Sequence, residues 1–315
     1  MIGTLHAYGA FAATVFDAFP PTGRRLVRWA SPDQLAAGLG EVEALLGVAF
    51  PALDWSAATR LRLVHLAGSG TDRFLPAPGL PGSVVVANAR GLSAAAMAEF
   101  ALAAVLALAK RLPRAYGNQL ARRWQATPPV VLAGGRAVVL GAGPVGRAVG
   151  RLLRAVGLSV VGVRRTAEAC AEFDRTVTVD RLDAELAQAQ VLVVAAPLTS
   201  DTRGLLDEAR LRRCPPGTLL VNVSRGGIVD EEAVASLLHS GHLGGAALDT
   251  FAHEPLPVSS PLWSAPDALL TPHVSWTTPG YERAVAELFL ANVERIERGE
   301  PVVNQVDVGL GYGRS

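Results

Sequence analysis

Cysteine is scarce. The 315-residue chain has two, Cys170 and Cys214, without the paired spacing of a metal site. This excludes a disulfide-stapled secreted scaffold and fits a reducing compartment. An excess of charge of one sign is also missing. There are 29 basic and 28 acidic residues, a formal net charge of +1, with no basic stripe or acidic tail. That balance argues against nucleic acid as the main partner. Long apolar runs are few. The stretch SAAAMAEFALAAVLALA is short, rich in alanine and interrupted by Glu99, so it reads as a buried helix rather than a membrane span. The opening MIGTLHAYGAFAATVF is apolar, but no basic residue precedes Arg24. Without the positive segment of a secretory leader it reads as a strand and a turn. Internal repeats and low-complexity tracts are absent. A soluble cytoplasmic protein with no membrane partner is expected.

What is present is a large apolar fraction: 50% of residues, against 18% charged. That supplies a real core and is too apolar for disorder. The length allows one large or two ordinary domains. Up to about Gly91 the chain alternates short apolar runs with turns. RLRLVHLAGSGTD is a strand ending in a glycine loop, and GSVVVANARG is another strand and loop. The apolar helix follows from Ser93, a plausible N-cap, to Lys110. RAVVLGAGPVGRAVGRLLRAVGLSVVGVRR then reads strand, glycine turn, amphipathic helix, strand. The strands VLVVAAP, LLVNVS, GGAALDTF and ALLTPH come next, separated by helical segments. Apolar strands alternating with helices imply a parallel sheet covered on both faces. GYERAVAELFLANVERIERGE is one amphipathic helix, with Tyr281, Val285, Leu288 and Val293 on or near its buried face. The tail PVVNQVD lies outside this pattern and is expected to return to the first segment. The expected architecture is α/β: a Rossmann-type doubly wound parallel sheet, residues 92–284, inserted in a smaller domain made of residues 1–91 and 285–315.

Three constellations carry chemistry. In GAGPVG, Gly141 permits the tight turn, Gly143 lets the backbone approach a pyrophosphate, and Gly146 lets helix and strand pack closely. The motif follows a strand and opens a helix, which is the context a dinucleotide site needs; the alternative is a glycine turn with no ligand. At the end of the next strand an NAD enzyme usually carries an acid for the ribose 2′-hydroxyl. This chain has Arg164, then Arg165. A guanidinium can pair with a 2′-phosphate where a carboxylate would repel it. The preference is therefore for NADP (NADPH), with NAD possible; the alternative is two arginines opening a solvated loop.

The third constellation spans NVSRGGIVDEEAV, LDTFAHEPLP and LLTPHVSW, each at the end of a strand of the same sheet. Such ends converge on one crevice, so Arg225, Glu254 and His273 can meet there. Arginine can clamp a substrate carboxylate and polarise the adjacent carbonyl. Histidine can donate a proton as charge develops on oxygen. Glutamate can orient the imidazole and keep it protonated. Each residue alone has a plain reading as a loop residue; the three together suit carbonyl reduction by hydride transfer, with no metal.

These motifs resemble those of the D-isomer-specific 2-hydroxyacid dehydrogenases, the family of phosphoglycerate dehydrogenase and the glyoxylate/hydroxypyruvate reductases. The resemblance runs from about Val64 to Asp307 and includes VHLAGSGTD, VANARG, APLTSDTRGLLD and VVNQVD as well as the stretches above. The first 60 residues say much less. The resemblance implies a flavodoxin-like smaller domain and a homodimer. It implies that Arg225 holds and polarises a 2-oxo acid, Glu254 pairs with the histidine, and His273 is the acid/base. Gly68, Ser69 and Gly70 would bind the substrate carboxylate through backbone N–H groups, and Asn88 matches an asparagine near the interdomain hinge. Pro144, Val145, Thr166, Ala196, Pro197, Thr202, Val223, Ser224, Asp249 and Ser275 fall at positions expected to line the cofactor. Arg164 departs from the family's common acid. Trp276 and His253 can narrow the substrate pocket, although Trp276 can equally be wall packing. The implied activity is NADPH-dependent, reversible reduction of a small 2-oxo acid to the D-2-hydroxy acid. A nucleotide-sensing, corepressor-like binding protein and a phosphite dehydrogenase-like enzyme are the alternatives.

Overall fold

The computed structural model describes residues 1–166 and 168–313. They divide into two compact units: residues 1–92 with 278–315, and residues 93–277. The second crossing thus falls ahead of the last long helix, whereas 284/285 would cut that helix in two.

In chain order the elements are β1 (Thr4–Tyr8), α1 (Ala10–Asp17), β2 (Arg25–Trp29), α2 (Pro32–Gly38), β3 (Ala44–Gly47), β4 (Leu63–Leu66), β5 (Val85–Asn88), α3 (Ala94–Ala109), α4 (Leu112–Leu120), β6 (Arg136–Leu140), α5 (Pro144–Ala155), β7 (Ser159–Arg164), β8 (Arg175–Thr178), α6 (Leu182–Leu186), β9 (Val191–Val194), α7 (Glu208–Leu211), β10 (Thr218–Asn222), α8 (Glu231–His239), β11 (Leu243–Leu248), β12 (Ala268–Leu270), α9 (Tyr281–Arg298), β13 (Val306–Asp307) and β14 (Tyr312–Gly313).

The first unit holds a five-stranded sheet of order β2-β1-β3-β4-β5, with every pairing parallel. This is the flavodoxin-like order. The N-terminal stretch is more than a strand and a turn: α1 follows β1 and buries Ala12, Val15 and Phe16 along one face. Helix α9 covers the same sheet with Tyr281, Val285, Ala286, Phe289 and Val293. Leu288 is only partly buried, because each residue turns the helix by about 100° and Phe289 takes the inward position. Asn292, fully buried, holds the tail through both its side-chain atoms: it donates to Val303 O at 3.0 Å and accepts from Val303 N at 2.8 Å. Gln305 then bridges to Ala87, antiparallel, so the tail does return to the first segment.

The second unit holds a seven-stranded sheet of order β12-β11-β10-β9-β6-β7-β8, again parallel throughout. Strand order reverses at β6, the doubly wound arrangement in which ligands bind at the carboxyl ends of the strands. Strands β9, β10 and β11 are buried along their whole length. Helix α3 buries Ala98, Ala101, Ala104, Val105, Leu108 and Ala109 in the core formed with β6, β9, β10 and α5. Ser93 stands at its N-cap position, but its hydroxyl makes no capping bond.

Candidate active site

The glycine turn lies at the reversal of strand order, between β6 and the segment after β9. Gly141 has φ +104, and a Cβ there would meet Ala195 O and Ala196 N at 2.6 and 2.7 Å. A Cβ on Gly146 would lie 1.8 Å from Gly141 O, so helix α5 can approach the strand only with glycine there. Around Gly143, in contrast, a Cβ would meet nothing within 4 Å. Gly143 is the N-cap of α5 and Pro144 opens the helix, followed by Val145, with no side-chain cap. The first-turn N–H groups therefore lack a side-chain acceptor, and the helix dipole favours an anion there. Uncapped donors beside open space fit the pyrophosphate of a dinucleotide. Thr202 shapes the neighbouring loop: its hydroxyl donates to Pro197 O at 2.7 Å and accepts from Thr199 N at 2.8 Å. Ala196 is buried in that loop.

Arg164 ends β7. Its guanidinium meets Glu168 at 3.1 Å and the Cys170 thiol at 3.5 Å. The arginine side chain is only 16% exposed, the glutamate 72%, so the pair is half in solvent. Arg165 and Thr166 are exposed, and the Thr166 hydroxyl lies 3.5 Å from Glu168 Oε2. An anion approaching Arg164 would compete with Glu168, which sequence reading missed.

The ends of β10, β11 and β12 lie side by side and carry the third constellation. After β10 the turn is built by Asn222, also missed. Its Oδ1 accepts from Ser224 N at 3.0 Å and from the Ser224 hydroxyl at 2.8 Å, and its Nδ2 donates to Arg225 O at 3.0 Å. An asparagine bonding its own backbone two residues on is a recognisable turn signal. Val223 continues the pairing of β10 through Val194 O. Arg225 donates from Nη1 to Ser224 O at 2.9 Å. Gly226 is thin because the next loop rests on it: a Cβ would stand 1.9 Å from the carbonyl carbon of Phe251.

Glu254 and His273 are in direct contact. Nδ1 of His273 lies 3.0 Å from both carboxylate oxygens of Glu254, and Glu254 Oε1 also accepts from Phe251 N at 3.1 Å. His273 has φ +54, a left-handed conformation that a non-glycine residue adopts only when its surroundings demand it. Those surroundings are supplied by Asp249, which is wholly buried. Its Oδ1 accepts from the Thr271 hydroxyl at 2.7 Å and Val274 N at 2.9 Å, and its Oδ2 from Ser275 N at 3.0 Å. The indole of Trp276 donates to His273 O at 2.9 Å. Asp249, expected to line the cofactor, thus has both oxygens engaged in holding the histidine loop. The buried Ser275 hydroxyl has no hydrogen-bond partner among the described residues. His253 is exposed.

In the first unit, the Gly68–Ser69–Gly70 loop follows β4. Asn88, 2% exposed, donates to Ser69 O at 2.7 Å and accepts from Arg90 N at 3.2 Å. Its side chain therefore braces that loop.

The profile described as D-isomer specific 2-hydroxyacid dehydrogenase, NAD binding domain, matches residues 102–275, which include the glycine turn, Arg225, Glu254 and His273. The chain belongs to the D-isomer specific 2-hydroxyacid dehydrogenase family. A 2-hydroxyacid dehydrogenase of this family from Xanthobacter autotrophicus Py2, solved with NADPH and MES, is 34% identical with a TM-score of 0.86, covering 99% of this chain and 100% of that one. D-3-phosphoglycerate dehydrogenase of Mycobacterium bovis is 31% identical over 293 residues, 90% of this chain and 55% of the relative. The chain thus spans about half the length of that curated relative. Glyoxylate/hydroxypyruvate reductase A of Klebsiella pneumoniae is 34% identical over 217 residues, 69% of each. Within this family of nicotinamide-dependent oxidoreductases, the glycine turn falls in the NAD-binding portion. Among the described residues no helix is long and apolar enough to cross a membrane.

Proposed function

We propose that the protein reduces a small 2-oxo acid to the D-2-hydroxy acid, reversibly, with NADPH as the preferred cofactor. One observation carries this reading: the imidazole of His273 is held by both oxygens of Glu254, at a strand end of a dinucleotide-binding sheet. With Nδ1 so engaged, Nε2 on the far side of the ring is the nitrogen left to give a proton to a carbonyl oxygen. Glu254 fixes the ring's orientation, with Nδ1 facing its carboxylate. Arg225 clamps the substrate carboxylate and polarises the carbonyl, in a turn that Asn222 has already set. When bound, the nicotinamide supplies the hydride. In the reverse direction neutral His273 takes the hydroxyl proton.

Arg164 in place of the ribose-binding acid supports NADPH, as does the NADPH bound to the Xanthobacter relative. A glyoxylate- or hydroxypyruvate-sized substrate is supported by the Klebsiella relative's name. A homodimer is supported by apolar side chains exposed on and after α4, among them Tyr116 (61%), Leu120 (68%) and Trp124 (106%). The test is a panel of 2-oxo acids offered with NADPH and NADH and followed at the nicotinamide absorbance. Turnover of glyoxylate or hydroxypyruvate with NADPH is expected. Silence across the panel, with or without oxidation of phosphite, overturns the proposal.

A further inference from the structure

Glu231 opens α8, directly after the N-cap Asp230. The cap itself does not need it: Asp230 accepts from Glu232 N at 3.0 Å and Ala233 N at 3.1 Å. An acid in a first helical turn usually gains a little from the helix dipole while remaining in water. Glu231 does something else. Its Oε1 accepts from the backbone N–H of Ala252 at 2.6 Å, which ties the start of α8 to the loop after β11.

That loop carries Glu254. The adjacent N–H, on Phe251, is the one that Glu254 itself accepts at 3.1 Å. Beneath the same peptide lies Gly226, where a Cβ would come within 2.2 Å of Ala252 N. The Phe251–Ala252 peptide is therefore clamped from two directions, by the backbone of Gly226 and by the Glu231 carboxylate. The clamp is not free of cost. Burial pushes the Glu231 carboxyl above its usual range, with Asp230 and Glu254 acting the same way and the Ala252 N–H and His253 opposing. A partly buried acid needs compensating hydrogen bonds, and the Ala252 N–H supplies one.

We infer that Glu231 is a positioning residue for this active site: by fixing the Phe251–Ala252 peptide it keeps Glu254 where it holds Nδ1 of His273. The inference rests on His273 being the acid/base. Glu231 acts through the loop, and its oxygen acceptor is the working part.

The experiment compares Glu231→Ala, which removes the acceptor, with Glu231→Gln, which keeps an oxygen for the Ala252 N–H. Readouts are kcat and KM for glyoxylate with NADPH, the Kd of NADPH by fluorescence, and nitrogen NMR of isotope-labelled His273 in the cofactor-free protein. Glu231→Ala is expected to lower kcat by about tenfold or more, as misplacement of a catalytic group does. Its Kd for NADPH should stay that of the wild type, and its ring spectrum should show less of the form protonated at Nδ1. Glu231→Gln should restore both kcat and spectrum. If Glu231→Ala does not fold, Glu231→Asp draws the acceptor back by one methylene and should show the same losses in milder form. A Glu231→Ala protein with wild-type kcat and ring spectrum overturns the inference, as does Glu231→Gln losing as much as alanine. A wild type silent toward every oxo acid, with the ring spectrum still altered by Glu231→Ala, refutes the reaction and spares the positioning role. An active wild type whose ring spectrum ignores Glu231→Ala does the reverse.

Discussion

Asp249, just beyond β11, and His65, within β4, are both ionisable side chains sealed from solvent in parallel sheets of the same chain. Asp249 receives three hydrogen bonds, all from the loop that carries His273. His65 packs edge-on to Phe289 at 5.6 Å, and among the described residues neither of its ring nitrogens has a well-formed hydrogen bond, with only the adjacent Leu66 backbone opposing burial. Burial pushes its pKa down to about 3. A buried polar group with its partners in place acts as a fixed point for geometry, whereas one without partners sets a limit on conditions. A third situation lies at the end of β7, where the half-exposed Arg164–Glu168 pair can exchange partners. Function at the β10–β12 end should therefore be rigid and intolerant, function at the β7 end adjustable, and the first unit sensitive to acid.

The largest effect is expected at Arg225. Arg225→Lys keeps the charge but loses the planar two-point contact. Loss of such a donor to a developing oxyanion costs on the order of 10²–10³ in kcat. Steady-state kinetics decide it, and near wild-type kcat/KM would remove Arg225 from the site.

Asp249→Asn sharpens the contrast with His65. The amide retains one good acceptor, so a backbone N–H of the His273 loop loses its partner. That costs on the order of 1–3 kcal/mol. Both Tm and kcat should fall, measured by thermal unfolding and glyoxylate turnover. Unchanged kcat with lowered Tm would make Asp249 a purely structural brace.

At the β7 end, Arg164→Asp should cut the ratio of kcat/KM for NADPH over NADH by roughly tenfold or more, since a charge-assisted hydrogen bond contributes about 1.5–3 kcal/mol. Added salt should weaken the wild-type preference, because the contact is part-exposed. A wild type that prefers NADH would assign these arginines to solvent.

The smallest effect concerns His65. Its folded-state pKa lies below the ordinary 6.5, so the unfolded chain takes up the proton more readily than the native state. Stability is whole above pH 6.5 and declines as the pH falls from 6.5 toward 3, by about 2 kcal/mol at pH 5. His65→Leu should flatten that part of the profile in denaturant melts at pH 7 and pH 5. The difference between the two pH values cancels the packing change that the substitution makes. An equal slope in both proteins would place the acid sensitivity elsewhere.

Local pattern alone determined a good deal of this protein. Glycine spacing after an apolar strand announces the turn before α5, because only glycine tolerates φ +104 against Ala195 and the approach of Gly146 to Gly141. Unbroken apolar runs announce strands covered on both faces. The contact of Glu254 with His273 was legible since each follows a strand of one parallel sheet, and parallel strands bring such ends together. The first segment was less legible: α1 and α2 are short, and a short amphipathic run is ambiguous between helix and turn until a sheet buries one face. In α9 the period was clear but its phase was not. Phe289, rather than Leu288, faces inward because Phe16, Phe19 and His65 wait there. The roles of Asp249 and Glu231 belong to tertiary structure alone. A carboxylate's sequence position does not say which N–H groups it will meet. Asp249 braces the His273 loop 22 to 26 residues away, and Glu231 reaches a peptide 21 residues away. Hydrogen bonds across that separation form only after the sheet has set strand ends side by side, so they leave no periodic trace in the sequence.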